Sequence, residues 1–199
     1  MKKHMIGGFT LVETVVVIAI TALISITLGS LLSYFYKTNA YTLEQTAAVG
    51  QARKGVESAM TNLREASYGS DGSYPIASAA TSSITFYANI DNDLYVERVT
   101  YILINKTFYR TIAEPSGNPL SYANATVSTS TIATSVINAT STPIFTYFDE
   151  AGAQLSSPVN ISNITSIKTT VIVDVNVNRA PVAFTLTGGA TLRNLQDQL

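Results

Sequence analysis

The stretch Thr14-Val15-Val16-Val17-Ile18-Ala19-Ile20-Thr21-Ala22-Leu23-Ile24-Ser25-Ile26-Thr27-Leu28-Gly29-Ser30-Leu31-Leu32-Ser33-Tyr34-Phe35-Tyr36 runs between Glu13 and Lys37 without a charge. As an α-helix it covers roughly 35 Å at about 1.5 Å per residue, enough for a bilayer core of about 30 Å. Its β-branched residues would also suit a buried strand, but strands usually stop near about 10 residues. In hydrocarbon a helix satisfies its own backbone groups, which outweighs a small propensity penalty. Residues 9–36 are therefore read as a transmembrane helix. In front of it stands Met1-Lys2-Lys3-His4-Met5-Ile6-Gly7-Gly8, a leader whose lysines favour a cytoplasmic start.

C-terminal to Lys37 the helical signal continues in amphipathic form over residues 37–67. Val49, Ala52, Val56, Met60, Leu63 and Ala66 recur at spacings of three and four, with Lys54, Glu57, Arg64 and Glu65 largely off that stripe. Two readings are open: a separate helix started by a Thr42/Gln45 capping box, or one rod ended near Ser67 by Tyr68-Gly69-Ser70-Asp71-Gly72. The first of the 6 prolines is Pro75, and beyond it the apolar period becomes two. Residues 84–90, 96–104, 107–113, 143–148, 167–177 and 182–187 read as strands, with a tight turn at Asn105-Lys106. Gly188-Gly189 is expected to bend the chain before residues 190–195. Ser121 to Thr142, rich in Ser, Thr, Asn and Ala, reads either as a surface loop or as weak strands. The expected fold is α+β, a long N-terminal helix followed by an antiparallel β-sheet domain over residues 68–199.

Composition excludes most catalytic chemistry. Charged residues make up 13% of the chain, against about 25% for ordinary soluble domains. With 12 basic and 13 acidic groups the net charge is −1, so nothing draws the chain to nucleic acid in general. There are no cysteines and a single histidine, His4, which rules against thiolate zinc, cysteine nucleophiles and a Ser-His-Asp relay. Asp91, Asn92, Asp93 and Glu97 offer oxygen ligands for calcium, but the spacing lacks a complete binding loop and suits turn chemistry better. Asp149 and Glu150 read as a solvated turn tip. Asn-X-Ser/Thr triplets begin at Asn105, Asn124, Asn138, Asn160 and Asn163, in a composition that produces several by chance. No catalytic, cofactor or metal site is assigned, and the chain is not read as an enzyme.

Gly8-Phe9-Thr10-Leu11-Val12-Glu13-Thr14, behind a basic leader and ahead of an apolar run, resembles the cleavage and methylation motif of type IV prepilins and type II secretion pseudopilins. The resemblance implies that a prepilin peptidase cuts between Gly8 and Phe9, removing a leader of residues 1–8, and methylates the new Phe9 amine. It further implies that Glu13 guides subunit assembly by attracting the Phe9 ammonium of a neighbouring subunit. On sequence physics alone, Glu13 could instead sit at headgroup level and favour the helix N-terminal dipole. A conventional signal-peptidase site after Thr27-Leu28-Gly29 is a weaker alternative.

Asp91-Asn92-Asp93, Glu97 to Leu103, Phe108-Tyr109-Arg110, Ile144 to Gly152 and Leu192-Arg193-Asn194 resemble minor pilins of the W type and minor pseudopilins of the J type. The resemblance implies a single-pass protein of the inner membrane with a pilin-like β domain outside the cytoplasm, later incorporated in a pilus or pseudopilus. A place at the start or tip of the filament fits, although Glu13 argues against the outermost tip type. The implied partners are other major and minor pilins or pseudopilins, the prepilin peptidase, the inner-membrane assembly platform and its motor ATPase. The alternative function is a tip binding module for adhesion or DNA uptake, for which Arg98 and Arg110 would have to form a local basic patch.

Overall fold

The computed structural model describes residues 8–91, 93–179 and 182–192. The leader residues Lys2, Lys3 and His4, together with Asn92, Arg193 and Asn194, lie outside them. One helix, α1 (Leu11–Arg64), opens the fold. The chain divides within this helix, at Glu44 and Gln45, into two compact units.

The first unit is the apolar part of α1. Val15, Ile18, Leu23, Ile24, Ile26 and Leu31 are all exposed, and none of the apolar window is covered by the protein. It is long and apolar enough to cross a membrane. Its hydroxyls are folded back onto the helix: Thr21 Oγ1 donates to Val17 O at 2.7 Å, Ser25 Oγ to Thr21 O at 2.8 Å and Thr27 Oγ1 to Leu23 O at 2.8 Å. These bonds satisfy donors that would be costly to leave bare in hydrocarbon.

The second unit, from Gln45 onward, is α1's C-terminal part with two antiparallel sheets. Ala52, Val56, Met60, Leu63 and Ala66 are buried, as the stripe requires, and Ala48 and Ala59 widen it. The larger sheet is a meander in chain order: β1 (Ile76–Ala79), β2 (Ser83–Ala88), β3 (Glu97–Ile104), β4 (Thr107–Ser116) and β5 (Ser121–Ala133). The smaller orders β6 (Phe145–Phe148), β7 (Ser166–Val173) and β8 (Phe184–Thr191). The helix touches both sheets where a side chain is missing. A Cβ on Gly55 would lie 2.0 Å from Ile132 Cγ2 in β5, and one on Gly188 in β8 would lie 2.7 Å from Met60 Cγ. An aromatic row, Phe86, Tyr101, Phe108 and Phe145, fills the core with ring centroids 5.8–6.1 Å apart. Buried Asn62 donates to the Tyr101 hydroxyl at 3.1 Å.

The α+β class stands, as does the extension of the helix past Lys37; two open readings are resolved and two local expectations are corrected. Thr42 and Gln45 do not start a new helix. Thr42 Oγ1 bonds Thr38 O at 3.0 Å as a helix-interior residue, while the Gln45 amide donates to Val173 O at 3.3 Å and accepts Val175 N–H at 2.9 Å. Of Ser121 to Thr142, the first part is a strand of 13 residues, β5, largely exposed but anchored by buried Tyr122 at one end and Ile132 and Ala133 at the other, and the part after Ala133 is loop and turn. Gly188 and Gly189 do not bend the chain but continue β8, where the side-chain-free edge lets the strand lie on Met60 and Val56. β7 also stops earlier than expected, at Val173.

The turn between β3 and β4 is as read, with Asn105 and Lys106 both in the left-handed region (φ 47° and 63°). Such turns favour glycine at the second position because a Cβ is strained there. Lys106→Gly is therefore expected to stabilise the protein by about 0.5 kcal/mol, read as a higher denaturation midpoint at unchanged slope.

Candidate processing and assembly site

Gly8, Phe9 and Thr10 precede the first turn of α1 and are exposed, Phe9 at 77%. Among the described residues, a side chain built on Gly8 would meet nothing within 4 Å beyond its chain neighbours. Thr10 is the residue before the helix, and its carbonyl accepts Thr14 N–H at 3.1 Å. Its Oγ1 accepts Glu13 N–H at 3.3 Å, and Thr10 N–H in turn donates to Glu13 Oε2 at 3.4 Å. That reciprocal pair is a capping box, Thr-x-x-Glu directly ahead of an apolar run. The Thr-x-x-Glu spacing that signals it is legible in the sequence at Thr10 and Glu13.

Glu13 thus does two things at once. Within the chain it satisfies a free N–H at the helix start and places negative charge in the first turn, where the helix dipole favours it. Only one of the two bonds uses the carboxylate, that from Thr10 N–H to Glu13 Oε2, and at 3.4 Å it is longer than the usual range of about 2.7–3.2 Å. A cationic amine makes shorter, stronger bonds to a carboxylate than a neutral amide does, and can displace it.

The structure separates the other candidate residues. Asp93 Oδ1 accepts Tyr95 N–H at 2.6 Å and Asp91 Oδ1 accepts Asp93 N–H at 3.3 Å, the turn chemistry expected for this segment. The carboxylate that meets Asp91 and Glu97 is Glu114 of β4, which sequence reading missed. The Asn105-Lys106 turn was the available signal: the β3/β4 register pairs Arg98 with Ala113, so the next position sets Glu97 opposite Glu114. Asp149 is a turn cap, accepting Ala153 N–H at 2.8 Å. Among the glycosylation triplets, Asn138 is committed to internal bonds with Thr142 O, Thr170 O and Ile172 N–H.

Arg98 and Arg110 do not share a patch. Arg98 pairs with Ala113 and Arg110 with Tyr101, positions on opposite faces of the sheet. Arg98 lies over the Tyr122 ring at 5.5 Å, while Arg110 borders the buried Tyr101 hydroxyl. In comparison with known proteins, the chain matches no family model and no curated protein.

Proposed function

We propose that the chain is a minor pilin or pseudopilin, a structural subunit that enters the inner membrane through α1, is trimmed after Gly8 by a prepilin peptidase, and co-assembles into a type IV pilus or type II secretion pseudopilus. The observation that carries this reading is the first unit. A helical surface apolar on every side and uncovered by the described residues begins two residues after the Gly8–Phe9 bond, where Phe9 is exposed. An apolar surface of that extent needs either lipid or other apolar helices as its solvent. A membrane-stored subunit that later joins a bundle of like helices uses both in turn.

In this mechanism the peptidase hydrolyses the Gly8–Phe9 bond, and the freed Phe9 amine is methylated and stays cationic. The lone acid at the head of the apolar run then exchanges its one long capping bond, from Thr10 N–H, for the charged amine of a neighbour. That pairing neutralises both groups as they leave water and sets the axial register between subunits. The β domain remains outside the cytoplasm and packs on other major and minor subunits, while the platform and motor ATPase drive extraction from the bilayer. The separation of Arg98 from Arg110 weighs against the alternative of a DNA-uptake tip.

Replacing Gly8 by a bulky residue tests the reading. The expected result is loss of leader removal, seen as a mature mass that retains residues 1–8. A wild-type mass that begins anywhere but Phe9, or unchanged processing of the variant, overturns it.

A further inference from the structure

At one end of the larger sheet, Asp91, Glu97 and Glu114 bring one carboxylate oxygen each within 4.8 Å of the others. Glu97 and Glu114 face each other across β3 and β4, an arrangement of like charges that ordinarily destabilises a sheet. Glu97 is 1% exposed. Its Oε2 accepts Ile90 N–H at 2.7 Å, but its Oε1 is buried with no hydrogen-bond partner. In the segment that leads into Asp91, Asn89 Oδ1 is likewise buried and unpartnered. A buried carboxylate oxygen without a donor among three converging carboxylates is an expensive combination unless a cation completes it.

We propose that Asp91, Glu97 and Glu114 bind a calcium ion that ties the β2–β3 connection to β4.

The donor set is oxygen only, with neither His nor Cys, which selects a hard cation over zinc or copper. Calcium accepts irregular oxygen sites with bonds of about 2.3–2.6 Å, whereas magnesium demands near-ideal octahedral geometry at about 2.0–2.1 Å. Three side chains gathered from a loop and two strands, with their oxygens within 4.8 Å of one another, suit the more tolerant ion. Burial, opposed by the Ile90 hydrogen bond and reinforced by the Glu114 and Asp91 charges, raises the Glu97 carboxyl above its ordinary pKa. Burial and the charges of Asp91 and Asp93 do the same at Glu114, with no cation among the influences. A divalent ion reverses this repulsion. The site is independent of the pilin reading, because it uses only residues of the second unit.

The test uses the full chain in detergent, stripped with EDTA, with calcium chloride as the probe. Calorimetric titration is expected to give one site per chain with a dissociation constant in the range of about 10⁻⁴–10⁻³ M typical of extracellular modules. Calcium at 10 mM is expected to raise Tm by roughly 4 °C or more. Glu97→Gln and Glu114→Gln should each weaken binding at least tenfold while folding in the absence of calcium, since each relieves repulsion. Asp149→Asn, at a turn outside the cluster, should bind as the wild type does. Absence of calcium binding by the wild type, an equal response to magnesium, or wild-type affinity in Glu114→Gln overturns the proposal.

Discussion

Gly55→Ala is expected to destabilise the second unit, while the same substitution at Gly50, on the same helix, is expected to stabilise it. Alanine is favoured over glycine in a helix by about 0.8–1 kcal/mol, and that gain is available at both positions. At Gly50 an added Cβ meets nothing within 4 Å, so the gain is realised. At Gly55 the Cβ would lie 2.0 Å from Ile132 Cγ2 and 3.1 Å from Ile132 O. A β-branched methyl cannot swing away, and the carbonyl belongs to the strand itself. Helix and sheet must separate, which costs more than the propensity gain. A net loss of about 1–3 kcal/mol is expected for Gly55→Ala, and Gly55→Leu should prevent folding of this unit. Chemical denaturation of the three variants checks the signs. On an Ile132→Ala background, which removes the obstructing methyl, Gly55→Ala should cost markedly less.

The second large effect is expected at Glu13, where two roles can be pulled apart by choice of substitute. Glu13→Leu removes both the capping carboxylate and the charge. Thr10 still caps the helix, so loss of the acid from the first turn costs about 0.3–1 kcal/mol there. Insertion into lipid should survive, since an acid within an apolar helix opposes it by up to about 2.5–3.5 kcal/mol. Glu13→Gln keeps an oxygen at the capping position, where glutamine serves as well, and removes only the charge. If the carboxylate pairs with a neighbour's amine in the filament, breaking that buried pair costs about 3–5 kcal/mol, more than a hundredfold in incorporation. Both variants should then reach the membrane and both should be missing from purified filaments. Normal incorporation of Glu13→Gln beside failure of Glu13→Leu would make Glu13 a capping residue alone.

These contrasts show which features the residues announce and which they conceal. The charge-free run from Thr14 to Tyr36 is too long for an ordinary strand, and a helix satisfies its own backbone groups even in lipid. Period-two alternation located β2, β3, β4 and β6, and the Asn105-Lys106 turn dictated the β3/β4 pairing. Serine and threonine in Ser121 to Ala133 carried no apolar alternation, yet β5 forms because β4 offers it a full ladder and cross-strand hydroxyl pairs such as Thr111–Thr129 at 3.2 Å. Thr42 and Gln45 have the spacing of a helix start, but Gln45 finds better partners in the backbone at Val173 and Val175, far along the chain. Gly188 and Gly189 resemble a bend, yet they continue β8, with Met60 packed against Gly188.

What the amino-acid order determined by itself is therefore local: the apolar rod, its Thr10/Glu13 start, the buried stripe from Ala52 to Ala66, and the alternating strands. Each follows from groups a few residues apart, whose geometry is set by helix or strand periodicity. Tertiary structure alone decided the unbroken helix through Thr42, the strand built from a polar segment, the use of Gly55 and Gly188 as contact points, and the meeting of Glu114 with Asp91 and Glu97. In each of these the outcome depends on which distant group supplies the missing hydrogen bond, space or charge, and a partner remote in sequence leaves no trace in local pattern.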